Sequence, residues 1–165
     1  MIPDTTFTYG YIQATRPFKL LGQWVEDAKL VFEGGKVVEF DAKSGKEALE
    51  VALNIDEGAS KVGLISFSSE SSDFPSDIHF YGVGALDEAI TSTLVLGMGE
   101  ANHLEALKTY DDEIQLSAET GLNVSHFRGR IPFGSPTLCV DLVDSNQKRI
   151  PILINGSFIT EKKEI

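Results

Sequence analysis

Arg128-Gly129-Arg130 is the spacing in this chain with the clearest chemistry. On a strand, residues at i and i+2 project from one face, so there the two guanidiniums would aim the same way. Guanidiniums stay protonated and fork onto planar oxyanions, so such a pair repels a dication and suits a carboxylate. A surface or ion-pairing role is the plainer alternative. Glu100-x-x-His103, with Glu105, Asp111-Asp112 and the more distant His126, is a second constellation. Carboxylate and imidazole at i and i+3 share a helix face, which makes Glu100, His103 and His126 a candidate zinc, cobalt or manganese site. In an acidic chain this spacing is common, and a solvated helix face explains it as well. His79, between Ile78 and Phe80, reads as an outward or hydrogen-bonded strand histidine. Cys139, within Thr137-Leu138-Cys139-Val140, reads as an inert core thiol. No serine, threonine or cysteine carries a nucleophile signature. The pairs Gly82-Val83-Gly84 and Gly97-Met98-Gly99 do not extend into a nucleotide-binding fingerprint, and turns account for them.

Composition narrows the partners. The formal charge of -11 and pI near 4.6 disfavour nucleic acid and anionic membranes, which would be repelled. No run approaches the roughly 18 apolar residues of a membrane span. Met1-Ile2-Pro3-Asp4 lacks the basic start of a secretory signal. With Cys139 as its one cysteine, the chain forms no internal disulfide, and a cytoplasmic location is expected. At 165 residues, 42% hydrophobic and 24% charged, one globular domain over 1–165 is expected, with a frayed charged tail at 161–165.

The elements that must position these groups follow from periodicity. Thr6 to Ala14 alternates as a strand. Asp27 to Glu33 and Lys36 to Asp41 form a hairpin around Gly34-Gly35, which supply the positive φ of a tight turn. Ser44 with Glu47 is a capping-box pattern opening a helix, with an apolar stripe of Ala48, Leu49, Val51, Ala52, Leu53 and Ile55. Asp56-Glu57-Gly58 ends the helix, and Val62 to Phe67 is a strand. Ser68 to Asp77 is a loop and Ile78 to Gly84 a strand. Leu86 to Gly97 shows helical spacing, and Glu100 to Lys108 continues as a second such segment. Asn123 to Phe127, Thr137 to Val143 and Ile150 to Ile154 are closing strands, with a turn at Ser145-Asn146-Gln147-Lys148. The fold class is α+β, a mixed or mostly antiparallel sheet with two or three helices.

The run Asp56-Glu57-Gly58-Ala59-Ser60-Lys61-Val62-Gly63-Leu64 resembles the D-E-G-A-R-x-L-G-E segment of the thermophilic-type metallo-aminopeptidases (the aminopeptidase T, aminopeptidase S and PepS group). Tyr11-Ile12-Gln13-Ala14-Thr15-Arg16-Pro17 resembles the strand G-T-V-x-x-T-[RK]-P of that family, and Leu30 to Val38 its L-x-F-x-x-G-K-V-V hairpin. Pro151-Ile152-Leu153-Ile154-Asn155-Gly156-Ser157-Phe158 is similar to its P-I-F-x-N-G-x-[FW]. The likeness covers Ile2 to Phe158 and corresponds to the C-terminal catalytic domain, without the large N-terminal domain. It implies an aminopeptidase-like fold, two divalent metals in a carboxylate and histidine cluster, and homodimers.

The same resemblance marks where the ligands depart. Thr5 and Thr6 stand where the first glutamate is expected, Leu64 where the second is, and Thr93 in place of a histidine. Glu100 takes the place of a catalytic tyrosine. Arg128 and Arg130 fall on an H-x-D pair; a two-residue bulge would instead slide His126 and Arg128 onto it. No metal is expected with this set, since a pair of dications needs converging anionic or imidazole donors. The sequence therefore reads as a non-catalytic relative, retained as a binding or self-associating scaffold. Arg128, Arg130, Thr93, Leu64 and Glu100 would line a pocket for a peptide or small carboxylate. Two alternatives stand beside it: a small metal-dependent peptide hydrolase with a rebuilt site, and a structural partner-binding domain.

Overall fold

The computed structural model describes residues 7–69, 89–99 and 122–159. Every strand pairing among them is antiparallel. Strand β1 (Gly10–Gln13) lies beside β4 (Lys29–Glu33), which turns back into β5 (Lys36–Asp41). Gly34 and Gly35 close that hairpin at φ 56 and 76, as their sequence requires.

A short hairpin, β2 (Phe18–Leu20) and β3 (Gln23–Val25), was not foreseen. Its turn is Leu21-Gly22, with Leu21 at φ 48 and 50% exposed. A leucine in the left-handed region costs about 1–2 kcal/mol, and its side chain is half in water, so the turn lacked a sequence signal. Leu21→Asn is expected to raise the melting temperature by about 2–4 °C, since about 1 kcal/mol is recovered. Calorimetry showing no change would contradict the strain.

Helix α1 (Lys46–Leu53) is the one helix complete among the described residues. The Ser44/Glu47 capping box does not form. The chain enters through Gly45 at φ 74, pressed under the Trp24 carbonyl, where a Cβ would lie 2.4 Å from that oxygen. Ser44 gives its own carbonyl to the Glu26 N–H instead. At the other end Asn54 caps the helix, its Nδ2 donating to the Glu50 carbonyl, two residues before Asp56. The helix buries Ala48, Leu49, Ala52 and Leu53, and leaves Val51 and Ile55 exposed. Its apolar stripe is narrower than the sequence suggests.

Strands β6 (Val62–Ser66), β7 (Thr93–Gly97) and β8 (Arg128–Pro132) make a second sheet with β7 in the middle. The helical reading of Leu86 to Gly97 is thus wrong over its last five residues; only Ala89 and Ile90 are helical among those described. All five residues of β7 are buried. A run buried on both faces has no alternation to betray a strand. Residues 123–127 are irregular rather than a strand, because Asn123 and Ser125 spend their side chains on distant groups.

One apolar cluster unites the layers. It joins Leu30, Phe32 and Val37 of the first sheet, Val25 of the hairpin and the inner face of α1. It extends to Val62, Leu94, Leu96 and Ile131 of the second sheet.

The last sheet is β9 (Val140–Val143), β10 (Arg149–Ile154) and β11 (Ser157–Phe158), with β10 central. Its 144–148 turn is as expected: Asp144 Oδ1 accepts from the Asn146 and Lys148 N–H groups. Cys139 is exposed, not a core thiol, because it precedes a strand whose side chains largely face solvent. It should therefore be alkylated by iodoacetamide under native conditions at the rate of an open thiol. Protection until unfolding would contradict its placement.

The strand at 78–84, the helix at 100–108, the tail at 161–165, and Thr5, Thr6, His79, Glu100 and His103 lie outside the described residues. No helix among the described residues is long and apolar enough to cross a membrane.

Candidate functional site: one face of the second sheet

Cross-strand partners share a face of a sheet. Leu64 is opposite Val95, and Val95 is opposite Arg130. Ser66 is opposite Thr93, and Gly97 is opposite Arg128. Leu64, Ser66, Thr93, Val95, Arg128 and Arg130 therefore share one face. Ile65, Leu94, Leu96 and Ile131 project from the other into the apolar cluster. At ~4.8 Å per strand, Leu64 and Arg130 are about 10 Å apart through the backbone. The structure thus gathers four of the residues singled out in the sequence: Leu64, Thr93, Arg128 and Arg130.

The face is largely withdrawn from water. Thr93 and Val95 are buried, Leu64 is buried, and both arginines are intermediate. The Nε of Arg128 is out of solvent. Thr93 Oγ1 donates to the Thr91 carbonyl at 3.2 Å. Ser66 belongs to the same face; its i+2 spacing from Leu64 was a usable signal that the sequence reading passed over.

A polar hub holds the end of this sheet. Asp56 accepts from the Ser125 hydroxyl at 2.8 and 3.0 Å, the His126 N–H at 2.8 Å and the Ala59 N–H at 2.8 Å. Partial burial pushes the Asp56 carboxyl up. The donors from His126, Ser125, Ala59 and Gly58 outweigh it and hold it below the ordinary carboxylate range. Asn123 Nδ2 donates to the carbonyls of Gly58 and Gly97 at 2.8 and 2.6 Å. Backbone contact is so close that a Cβ on Gly58 would lie 2.0 Å from the Val124 oxygen. The same Asp56-Glu57-Gly58-Ala59 run that resembles the peptidases is therefore, in this fold, a structural joint.

His126 behaves differently. His126 precedes β8 and its residue is exposed, and the β7–β8 ladder runs from Arg128 to Pro132 without a register shift. His126 thus lies outside this ladder, and no bulge interrupts it between Arg128 and Pro132. Among the described residues no three of His, Cys, Asp and Glu cluster in a metal-binding arrangement.

The comparisons with known proteins bear on this geometry. The family model for the thermophilic metalloproteases (M29) matches residues 1–158. The chain belongs to that family. Aminopeptidase AmpS of Bacillus subtilis (strain 168) is 30% identical over 160 residues, covering 95% of this chain and 38% of the relative. Aminopeptidase PepS of Streptococcus thermophilus is 28% identical, with 95% and 38% covered. Wild-type AmpT from Thermus thermophilus superposes with a TM-score of 0.85 at 25% identity, over 96% of this chain and 38% of that one. This M29 chain thus spans 38% of the length of these relatives, and its mostly antiparallel fold is one that AmpT contains.

An M29 membership implies metal, so the face must be tested against one. Its donors are a leucine, two hydroxyls and two guanidiniums. An aliphatic side chain offers no lone pair, and arginine cannot deprotonate to offer one. Hydroxyls alone do not hold a pair of dications against two fixed positive charges. Among the described residues, the side chains of this face do not fit a pair of divalent metals.

Proposed function

We propose that this chain is a non-catalytic member of the thermophilic metalloprotease family, acting through binding. The observation that carries the reading is the shared face of Leu64, Thr93, Arg128 and Arg130. The sequence resemblance puts these residues at ligand positions, and their chemistry is that of an anion site. Arg128 and Arg130 would hold the carboxylate of a peptide or small metabolite through charge-assisted forks. The partly buried setting strengthens such pairs. Self-association and a cytoplasmic location are part of the same proposal, the first from the family resemblance and the second from the solitary cysteine.

Two assays test it together. Protein incubated with zinc, cobalt or manganese is expected to leave aminoacyl-anilides uncleaved, and turnover would refute the reading in favour of a rebuilt metal site. Acetyl-Ala-Ala with a free C-terminus is expected to raise the melting temperature, whereas its C-terminal amide is not. Arg128→Gln and Arg130→Gln should each abolish that shift. An equal shift from acid and amide, or a shift surviving both variants, would remove the arginines from the site.

A further inference from the structure

We infer that Asp56 is the positioning residue for Arg128 and Arg130, although neither arginine is near it in sequence. The inference deepens the binding reading above and rests on it only for the ligand arm of its test. A relay runs from the carboxylate to the strand. Asp56 Oδ1 accepts from Ser125 Oγ at 2.8 Å, and Ser125 Oγ in turn accepts from the Phe127 N–H at 3.0 Å. Asp56 Oδ2 takes the His126 N–H at 2.8 Å. The Phe127 carbonyl accepts from the Met98 N–H at 2.7 Å, beyond the end of β7. Both backbone groups of the residue before Arg128 are therefore fixed, one of them through Asp56.

What the relay fixes is phase. Side chains on a strand alternate, so a slip of one residue exchanges the two faces. In β8 that exchange would turn Arg128 and Arg130 into the apolar cluster and bring Gly129 and Ile131 outward. Phe127 sets the same phase from the apolar side: its ring lies over Gly129, where a Cβ would meet Cζ at 2.5 Å. Packing alone tolerates small shifts along the strand, whereas the carboxylate defines one position for the chain entering it. Ala59 completes the anchor, donating its N–H to Asp56 at 2.8 Å from the turn that leads into β6.

The test compares Asp56→Asn with Glu57→Gln, a neighbouring exposed carboxylate that touches Lys61 at 3.4 Å. The positioning readout is water exchange of the Arg128 Nε–H by nitrogen-15 NMR, since that nitrogen is out of solvent. Asp56→Asn removes the anionic acceptor of the Ser125, His126, Ala59 and Gly58 donors, so exchange should quicken about tenfold or more while the fold still melts cooperatively. Glu57→Gln should leave it unchanged. Acetyl-Ala-Ala affinity should fall about tenfold in Asp56→Asn for the same reason. If the peptide binds no variant, including the parent, the carboxylate-binding reading fails and the exchange rate alone decides the positioning. An Arg128 Nε–H that exchanges equally in Asp56→Asn and the parent overturns the inference. Should Asp56→Asn not fold, Ser125→Ala breaks the same relay at its second link and is read the same way.

Discussion

Gly97→Ala is expected to lower stability by about 4 kcal/mol, roughly a quarter or more of what a domain of this size usually has. Two independent penalties add. Gly97 has φ 84, a conformation that costs an alanine about 1–2 kcal/mol. An added Cβ would also lie 2.1 Å from the Phe127 carbonyl oxygen, and because that atom is backbone, it cannot swing away. Overpacking of this kind costs about 1–3 kcal/mol. Phe127 opens the strand carrying both arginines, so the substitution should also weaken carboxylate binding. Urea denaturation would show the midpoint falling with little change in slope. A loss below about 1 kcal/mol would mean that Gly97 and Phe127 are not in contact as described.

Asp56→Ala is the second large effect, about 2–3 kcal/mol at neutral pH, because it strands the Ser125 hydroxyl and the 126 and 59 N–H groups at once. The loss has a definite pH dependence. The folded carboxyl titrates below its ordinary value, so its contribution is complete above the unfolded pKa of about 3.9. It disappears as pH falls through the lower folded value. The stability difference between parent and Asp56→Ala should thus be flat from about pH 8 to 5 and shrink below about pH 4. A difference that grows on acidification would contradict this assignment of the carboxylate.

How much of this was legible beforehand depends on whether the signal was local. Gly34-Gly35 announces its hairpin because a two-residue turn needs positive φ at those positions, and the structure has it. The family resemblance held across almost the whole chain because its motifs are turns and strand ends that the backbone cannot vary freely. The strand that carries Arg128 and Arg130 was legible only through the family resemblance, since periodicity ended the nearest strand at Phe127. The i+2 spacing then puts both on one face, and the ladder to β7 keeps them there. Strand β7 was misread because Thr93 to Gly97 is buried throughout, which erases the period-two pattern. The capping box failed for a tertiary reason: Trp24 presses on Gly45 and dictates how the helix starts. The hub was invisible because Asp56 and Ser125 lie 69 residues apart, and nothing in either neighbourhood names the other. Cys139 misled because apolar neighbours signal burial only when the strand they join is itself covered.

The common thread is that glycines and short polar side chains hold the sheet that bears the arginines. A Cβ added to Gly58, Gly63, Gly97 or Gly129 would lie only 2.0–2.5 Å from another atom of this region. Asn123, Ser125 and Asp56 saturate the backbone groups left over. Among the described residues, the Asp56 carboxylate at this end of the sheet is satisfied by N–H and O–H donors.

Equilibrium metal binding tests the central claim most directly. Protein stripped with chelator and titrated calorimetrically with zinc, cobalt and manganese should show no stoichiometric site. Its melting temperature should not move with added metal, since a tight ligand of the folded state would raise it. One or two equivalents bound tightly, with a matching thermal shift, would contradict the account.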